Sequence, residues 1–296
     1  MVNPLAGSGR AGAAWGRLRA RAEELAPGAA VVRAEAPGAA ARELDGLLAA
    51  GSVERVVAVG GDGTVHFAVN RLHASGRLGE TALGVVPAGT GSDLARTLGL
   101  PLRPGEALET ALGPGTRRID LLEVATAAGV RVALNVASVG ISGLVAGRVN
   151  LRRRRRPTVY LTATLRALVR YRPFWGRVVC DGETWHEGGV FLLAVANGPS
   201  FGRGMRVAPE AVVDDGLADV VVLRPMPRWQ VPFRLPRLYT GTVLESPVAT
   251  WCRARTVRLE TDDPLPPFEL DGETVPGGPA AFTVLPGALR VAGGRH

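Results

Sequence analysis

The stretch from Val53 to Thr64, which reads VERVVAVGGDGT, decides the fold of the first half of the chain. It begins as a short apolar run typical of a buried β-strand, and helical periodicity over residues 64–75 starts directly after the glycines. Glycines let a backbone approach a phosphate closely, and the N–H groups at a helix start attract anions. The stretch therefore predicts a strand, a phosphate-binding turn and a helix, with Asp62 suited to hold a divalent cation beside the phosphate.

Neighbouring segments repeat this alternation on both sides. Helical periodicity recurs over residues 11–26, 38–50 and 92–98, and residues 83–86 predict a second buried strand. Strands that alternate with helices are typical of a parallel sheet covered by helices. We therefore predict an N-terminal parallel α/β nucleotide-binding domain over residues 1–117.

Two further glycine-rich loops accompany the first. One runs from Asn3 to Gly7, and the other runs from Pro87 to Asp93 directly behind the second predicted strand. The second loop offers backbone and hydroxyl donors at a helix start, where Ser92 or Asp93 can serve as the cap. Each of these loops also suits phosphate.

The second half of the chain is rich in β-strand patterns separated by Asp-Gly and Pro-Gly turns. The predicted strands cover residues 119–124, 130–139, 177–181, 190–197, 218–223, 256–260, 267–270 and 282–291. They predict a β-sandwich domain over residues 118–296, with a helical insertion near 141–171. A two-domain enzyme of this kind is expected to place its active site in the cleft between the domains.

The composition excludes several chemistries. All 35 basic residues are arginine, since the sequence contains no lysine. This excludes the lysine-dependent P-loop and protein-kinase sites, and it excludes Schiff-base chemistry. The net charge of +8 favours a polyanionic partner, which could be nucleic acid, an anionic membrane or a phosphate-bearing substrate. The few aromatic residues are scattered rather than interleaved with the arginines, so no nucleic acid is expected.

Targeting and cysteine patterns indicate an ordinary intracellular protein. No apolar run reaches the length of a membrane span, and the N-terminus has no signal-peptide core. We expect a cytoplasmic location with peripheral contact at the inner membrane face. Cys180 and Cys252 stand far apart without metal-binding spacing, so we expect free thiols rather than a zinc site or a disulfide framework.

Two turns in the second half carry paired carboxylates. They are Asp214-Asp215-Gly216-Leu217 and Leu270-Asp271-Gly272-Glu273. Aspartate favours turns because it hydrogen-bonds its own backbone, so each turn taken alone favours a structural role.

Taken together and in order, these motifs resemble the diacylglycerol kinase catalytic family of lipid kinases, which includes bacterial soluble lipid kinases and sphingosine kinases. The resemblance covers nearly the whole chain. Its motifs are Asn3 to Gly7, Gly60 to Thr64, Pro87 to Asp93, Ile119-Asp120, Asn135 to Gly140, Asn197-Gly198, Gly204-Met205, Ala208-Pro209, Asp214 to Leu217 and Leu270 to Glu273.

The resemblance implies an ATP- and Mg²⁺-dependent kinase that phosphorylates a hydroxyl of diacylglycerol or a related lipid, such as a sphingoid base. It implies that Glu273 is the general base and that Asp62, Asp271 and Asp120 orient the catalytic metal and its waters. It implies a structural Mg²⁺ on Asp215 and the backbone carbonyls of Val212 and Leu217. The implied ATP-binding residues are Asn3, Pro4, Leu5, Ala6, Gly7, Gly61, Asp62, Gly63, Thr64, Val65, His66, Phe67 and Thr90.

The chain departs from the family pattern at several positions. His66-Phe67 stands where the family usually has Asn-Glu, Ser92 replaces an asparagine, and Ala34 replaces a threonine on the adenine side. Arg203 interrupts a glycine cluster. The family also begins with an apolar strand before its Asn-Pro, and only Met1-Val2 precedes Asn3 here, so we expect that first strand to be truncated.

The arginines suggest how the protein would reach a lipid. Arg148 and Arg152–Arg156 precede a predicted amphipathic helix and would contact an anionic membrane surface. A second, less regular amphipathic stretch runs from Trp229 to Tyr239. Two alternatives stay open: a kinase of a soluble acceptor, similar to NAD kinases, and a non-catalytic basic pseudokinase that binds membrane or nucleic acid.

Overall fold

The computed structural model describes residues 1–89, 91–143, 171–202 and 204–293. The chain forms two compact units: Met1–Asp120 with Gly287–His296 is unit 1, and Leu121–Pro286 is unit 2. The sequence predicted one boundary, between residues 117 and 118. The chain instead passes between the units twice, because residues after Pro286 return to unit 1.

Unit 1 consists of helices around a small parallel sheet. Its helices are α1 (Arg10–Leu25), α2 (Pro37–Ala49), α3 (Asp62–Ala74), α4 (Asp93–Thr97) and α5 (Pro104–Leu112), and its strands are β1 (Arg55–Gly60), β2 (Ala82–Pro87) and the first part of β3 (Thr116–Thr126). Strands β1 and β2 pair in parallel, with Val57 opposite Gly84. The parallel α/β prediction is confirmed for this unit.

Helix α5 was not predicted, and it covers one side of this sheet. Its buried Ala107, Leu108 and Ala111 pack with Val59 and Val86 of the strands. The fit is close, because a Cβ on Gly84 would lie 2.9 Å from the Cβ of Ala111. Small residues at the contact therefore let the helix lie directly on the sheet.

The N-terminal residues extend the same sheet. Val2 makes parallel bridges to Val59 and to Arg33. The Val2 N–H donates to the Val32 carbonyl at 2.8 Å, and the Asn3 N–H donates to the Val59 carbonyl at 3.0 Å. Met1-Val2 thus occupies the strand position before the Asn-Pro loop, bonded on both sides.

Unit 2 consists mainly of antiparallel strands. They are the second part of β3, β4 (Gly129–Ala133), β5 (Val136–Gly140), β6 (Phe174–Cys180), β7 (Glu183–Val190), β8 (Leu192–Ala196), β9 (Ala218–Leu223), β10 (Ala249–Ala254), β11 (Thr256–Glu260), β12 (Phe268–Leu270), β13 (Glu273–Val275) and the first part of β14 (Ala280–Ala292). Two short helices, α6 (Val231–Arg234) and α7 (Pro236–Thr240), lie between β9 and β10, with 3₁₀ turns at Arg228–Gln230 and Val243–Glu245.

The strands of unit 2 form two sheets around one hydrophobic core. One sheet has the order β10-β9-β8-β5-β12-β13, and in the other β11 lies between β6 and β14. Val178 and Leu259 from one sheet pack in the same buried cluster as Val220 and Phe268 from the other. This is the predicted sandwich, and the prediction of fold class is confirmed.

One predicted strand is two strands. Residues 130–139 divide into β4, which pairs with β3, and β5, which pairs with β8 in the other sheet. The ladder breaks at Leu134 and Asn135, whose N–H groups donate to the carboxylate of Asp271 instead.

The remaining sequence expectations concern residues 141–171 and the two cysteines. Residues 144–170 lie outside the described residues, so the predicted helical insertion is left as a prediction. No helix in the described part of the chain is long and apolar enough to cross a bilayer. Cys180 and Cys252 are both free, as expected, although the fold places their Sγ atoms 3.6 Å apart.

Candidate functional site

In unit 1, the glycine loops that follow β1 and β2 touch each other. Both loops leave the carboxyl edge of the sheet because the strands are parallel, and this edge is where α/β proteins bind ligands. A Cβ added to Gly89 would lie 2.5 Å from the Cα of Gly61, and one added to Gly61 would lie 3.2 Å from the Cα of Gly89. Only two glycines permit this backbone contact, so the loops form one surface of main-chain atoms.

The N-terminal loop joins the same surface. Gly7 has a φ of +62°, and a Cβ there would collide with the carbonyl oxygen of Ala88. Within the loop, the Asn3 Oδ1 accepts the Leu5 N–H at 3.2 Å. The three loops predicted to hold ATP therefore lie together in unit 1.

Arg10 links these loops and was not predicted as a site residue. Its Nη2 donates to the Gly89 carbonyl at 2.9 Å, and its Nε donates to the Gly7 carbonyl at 3.1 Å. The guanidinium is exposed at this surface and carries a full positive charge. A signal was present in the sequence, because Arg10 directly follows a glycine-rich loop in a chain without lysine.

Asp62 opens helix α3 beside the second loop. Its Oδ2 accepts the Asp93 N–H at 3.4 Å, and a Cβ on Gly91 would lie 2.6 Å from the same oxygen. Asp93 is buried, and its Oδ1 lies 3.3 Å from the Arg96 Nη1, which also donates to the Gly91 carbonyl. Two carboxylates thus lie at the glycine surface, one of them partly exposed.

The backbone at Ser92 shows why asparagine is usual at this position of the family pattern. It adopts a φ of +59°, and it makes no side-chain cap hydrogen bond to the described part of α4, so the expected Ser92 cap is not seen. Asparagine enters the left-handed region more readily than serine. The usual asparagine would therefore suit the backbone of this turn. Thr90, another predicted ATP-binding residue, lies outside the described residues.

The remaining predicted ATP-binding residues that follow β1 lie on α3. Thr64, Val65 and His66 are buried, and Phe67 is partly exposed. The Asn70 Nδ2 lies 3.2 Å from the His66 Nε2 and donates to the His66 carbonyl at 3.0 Å. The His66 side chain is thus held within the packed side of the helix.

Asp120 lies at the point where β3 leaves unit 1. It is buried, and its Oδ1 accepts the Gly287 N–H at 2.6 Å. Its carboxylate therefore ties β3 to the returning segment of β14, a structural contact that the sequence did not indicate.

In unit 2, Asp271 anchors the turn that carries Glu273. Its carboxylate accepts N–H groups from Leu134 at 2.7 Å, Asn135 at 2.9 Å and Val136 at 3.1 Å, and its φ is +51°. Three such bonds hold the carboxylate in one orientation. Asp271, predicted to orient a metal, thus fixes the turn to the start of β5, and Glu273 lies exposed at the start of β13.

Two buried asparagines lie beside Asp271. Both belong to motifs of the sequence, but neither was predicted as a site residue. The Asn197 Nδ2 donates to the Leu134 carbonyl at 2.9 Å, and the Asn197 N–H donates to the Asn135 carbonyl at 2.7 Å. The Asn135 Oδ1 is buried without a hydrogen-bond partner among the described residues. A buried amide oxygen of this kind is costly unless water or a ligand completes it.

The second acidic turn offers hard oxygen donors. The Asp215 Oδ1 accepts the Leu217 N–H at 3.0 Å, and Val212 is exposed beside it in sequence. Two residues beyond Leu217, Asp219 is buried, and its Oδ1 has no partner in the described part of unit 2. Burial raises the pKa of Asp219 to about 6, a rise that Arg253 opposes and Asp215 reinforces.

These groups are compatible with the implied divalent cation. The described residues contain no cluster of three His, Cys, Asp or Glu side chains that could hold a metal, so a cation at this turn would also need backbone carbonyls as ligands. Such carbonyls are ordinary ligands of hard cations. The Asp219 Oδ2 lies 3.6 Å from the Arg253 Nε, so only its Oδ1 is left buried at a cost that a cation would offset.

Family comparisons cover almost the whole chain. Residues 1–124 match the model described as the diacylglycerol kinase catalytic domain. Residues 135–293 match the YegS C-terminal NAD kinase beta sandwich-like domain.

Individual relatives agree. A protein named "Diacylglycerol kinase" from Mycobacterium tuberculosis is 32% identical over 100% of this chain and 94% of its own length. A "Probable lipid kinase YegS-like" from Pseudomonas aeruginosa is 37% identical over 86% of this chain and 81% of its own length. The crystal structure of a diacylglycerol kinase from Bacillus anthracis covers 98% of this chain and 94% of its own, with a TM-score of 0.72 and 20% identity, which bears on the fold alone.

Proposed function

The chain belongs to the diacylglycerol kinase family of lipid kinases and is therefore a kinase; from this premise we propose that it transfers the γ-phosphoryl group of ATP, with Mg²⁺, to a hydroxyl of diacylglycerol or a related lipid. The observation that carries the proposal is the contact of Gly61 with Gly89, which forms a surface of backbone groups at the carboxyl edge of a parallel sheet. Phosphoryl transfer depends mainly on positioning and charge neutralisation, and such a surface supplies the positioning.

In this proposal the loops of unit 1 hold the nucleotide. Backbone N–H groups at the start of α3 donate to phosphate oxygens, and no lysine is required. The Arg10 guanidinium, already fixed by two carbonyls, adds positive charge beside these groups. The contact between loops leaves little room for movement, so the phosphates meet a preformed surface.

The carboxylates divide between two cation sites. Asp62 would hold the catalytic Mg²⁺, and Asp215 with the carbonyls of Val212 and Leu217 would hold the structural one. When bound, Mg²⁺ neutralises charge on the phosphoryl oxygens. The buried Asp219 supports the second assignment, because its Oδ1 lacks a hydrogen-bond partner in the described part of unit 2, while its Oδ2 pairs with the Arg253 Nε at 3.6 Å.

Glu273 would accept the proton of the attacking hydroxyl. Its exposure suits a group that meets a substrate, and Asp271 restricts the turn through three backbone hydrogen bonds. Asp271 in this scheme positions the base. A base that is already held in position loses little conformational entropy when it removes the proton.

The proposal is tested with Glu273→Gln, which keeps the shape of the side chain and removes its basicity. We expect phosphoryl transfer from labelled ATP to a mixed lipid extract to fall by roughly 10²–10⁴-fold, the usual contribution of a general base. Nucleotide affinity should stay unchanged. Glu187→Gln, an exposed glutamate on β7 of the same unit, is the matched control and should keep full activity.

Two results would contradict these assignments. Equal loss of nucleotide binding and transfer in Glu273→Gln would refute the role of the base. Transfer to NAD but to no lipid would favour the soluble-acceptor alternative, which the NAD kinase-like description of the C-terminal domain keeps relevant. Mass spectrometry of the phosphorylated products identifies the acceptor.

We propose further that the lipid is presented at a membrane surface. The arginines predicted to meet that surface, Arg148 and Arg152–Arg156, lie outside the described residues. The net charge of +8 supports attraction to an anionic bilayer.

A further inference from the structure

A short segment of unit 2 exposes three aromatic side chains. Phe233 is 77% exposed, Trp229 is 69% exposed and Tyr239 is 53% exposed. We call these three residues the aromatic surface. Phe233 and Trp229 are the most exposed large apolar side chains among the described residues, and they lie four positions apart. Exposed aromatics grouped in this way mark interaction sites more often than isolated ones do.

The fold does not need these side chains for its own core. The same segment buries Val231 and Val243 on its inner side, with Leu238 and Leu244 packed against the same cluster. The inner residues therefore fix the segment to the sandwich. The aromatic surface is an additional apolar face that the described residues of unit 2 do not cover.

The segment is held in a defined conformation. Pro232 lies in the first turn of α6 and Pro236 in the first turn of α7. The Arg234 Nη1 donates to the Ser246 Oγ at 2.8 Å, and the Arg206 N–H donates to the Leu238 carbonyl at 2.6 Å. The aromatic side chains thus project from an ordered backbone, which lowers the entropy cost of binding.

The segment that carries the aromatic surface has a net positive charge. Residues 224–246 contain four arginines, at 224, 228, 234 and 237, and a single acidic residue. That residue is Glu245, whose Oε2 lies 3.7 Å from the Arg237 Nη1. The remaining guanidinium groups hydrogen-bond to neutral protein groups, so their positive charge is not cancelled. This charge complements anionic lipid headgroups.

We propose that the aromatic surface docks the protein onto an anionic lipid bilayer. Trp229 and Phe233 enter the interface between headgroups and acyl chains, where the amphipathic indole of Trp229 is stable and the apolar ring of Phe233 is buried at the acyl boundary. The arginines meet headgroup phosphates, and each basic residue near such a surface adds attraction. The inference rests on the proposed function, because an enzyme that phosphorylates a lipid must reach that lipid where it resides.

The test uses the full chain and vesicles of phosphatidylcholine with or without phosphatidylglycerol. We expect wild-type protein to sediment with the anionic vesicles and raised salt to weaken the binding. Trp229→Ala combined with Phe233→Ala should lower the partition coefficient by about tenfold or more. Trp175→Ala is the matched control, because Trp175 is a 46% exposed tryptophan of the same unit outside the segment, and it should bind like wild type.

A second measurement separates docking from catalysis. Phosphorylation of a short-chain diacylglycerol dispersed as single molecules needs no bilayer, so the double variant should keep wild-type turnover on it. Its turnover on diacylglycerol in anionic vesicles should fall in parallel with vesicle binding. Thermal unfolding of both variants at the wild-type temperature would show that the fold is intact.

Two outcomes would overturn the proposal, and a third would separate it from the proposed function. Vesicle binding by the double variant at the wild-type level would do so, whatever the kinase assays show. Self-association of wild-type protein that the double variant loses, without vesicle binding, would assign the surface to a second copy of the chain. Loss of vesicle binding in the variant, with no lipid phosphorylated by wild type, would support docking while the proposed function fails.

Discussion

At the scale of single residues, the site in unit 1 depends on two glycines whose backbones touch. Replacing Gly89 by alanine would place a Cβ 2.5 Å from the Cα of Gly61, so one loop must move. We expect Gly89→Ala to weaken ATP binding by tenfold or more and to cost about 1–3 kcal/mol of stability, as overpacking usually does. Nucleotide titration and denaturant unfolding measure the two effects.

Gly46→Ala provides the comparison. Gly46 lies in helix α2, and a Cβ there has nothing within 4 Å. Alanine should stabilise this helix slightly and leave nucleotide binding unchanged. If Gly89→Ala behaves in the same way, the loop contact has no role in holding the nucleotide.

The assignment of the structural Mg²⁺ to Asp215 can be tested by comparing Asp215 with its neighbour Asp214. Mg²⁺ that binds the folded protein alone should stabilise it by roughly 2.7 kcal/mol at about 100 times its dissociation constant. We expect Asp215→Ala to lose most of this stabilisation and Asp214→Ala to keep it. Thermal unfolding with Mg²⁺ and with a chelator measures the difference, and equal loss in the two variants would contradict the assignment of Asp215.

At the scale of elements, Asp271 and Asp181 each stabilise the start of a strand in the same way. Each adopts a positive φ in an Asp-Gly turn and accepts backbone N–H groups from another segment. Asp271 caps the start of β5, and Asp181 caps the start of β11 through Arg255 and Thr256. Hydrogen bonds to a carboxylate are stronger than neutral ones, so both caps stabilise the sandwich.

We predict that Asp271→Asn destabilises the protein by roughly 2–3 kcal/mol, because an amide cannot accept three N–H groups as a carboxylate does. Asp181→Asn should cost less, since its carboxylate is more exposed. Lipid phosphorylation per folded molecule should fall in Asp271→Asn, where the Glu273 turn loses its anchor. It should stay at the wild-type level in Asp181→Asn, and a similar fall in both variants would count against a positioning role.

The same cap explains which elements could be predicted from the sequence. Strand β9 follows from its apolar run, and its bounds were predicted correctly. Residues 130–139 also form a largely apolar run, yet they divide between two sheets because Asp271, more than 130 residues later, accepts the N–H groups at the break. Strand β7 was missed because its residues are mostly polar or glycine.

The site shows the same division between local and long-range information. The glycines mark the three loops in the sequence itself, and the φ of +62° at Gly7 is a local conformation that favours glycine. The bonds that Arg10 makes to Gly7 and Gly89 depend on two loops meeting in space. The buried position of Asp219 depends in the same way on the packing of β9, and no local pattern indicates it.

At the scale of the whole molecule, stability should depend on pH through His186. Burial lowers the pKa of His186 below 6.5, the positive charge of Arg224 lowers it further, and a backbone hydrogen bond at Gly189 opposes the shift. The unfolded chain therefore takes up this proton first as the pH falls through 6.5, and the folded state loses stability there. Its Nε2 is buried without a partner among the described residues.

We predict that His186→Gln reduces the loss of stability between pH 7 and pH 5 that wild type shows. Denaturant unfolding at several pH values measures the slope for both proteins. Asp219, whose pKa is raised to about 6, titrates in this range in both proteins, so the difference between the two slopes isolates the histidine. Identical slopes would show that His186 does not carry the dependence.

The sequence pattern did not predict that the chain returns to unit 1. Residues 282–291 were predicted as one strand, and the Pro286-Gly287 turn signal within them did not show that the chain changes unit there. The pairing of Val291 with Leu83, and the hydrogen bond from Gly287 to Asp120, become visible only in three dimensions.

This return fixes an order for events during synthesis. A ribosome releases residues 121–286 before it releases Gly287–Ala292, so unit 2 can fold on the ribosome while the first 120 residues still lack a part of their sheet. Leu289 and Val291, both fully buried, arrive only after the sandwich is complete. Unit 1, although most of it is translated first, therefore receives its last strand only after all of unit 2 has been synthesised, and it is the later of the two units to be complete.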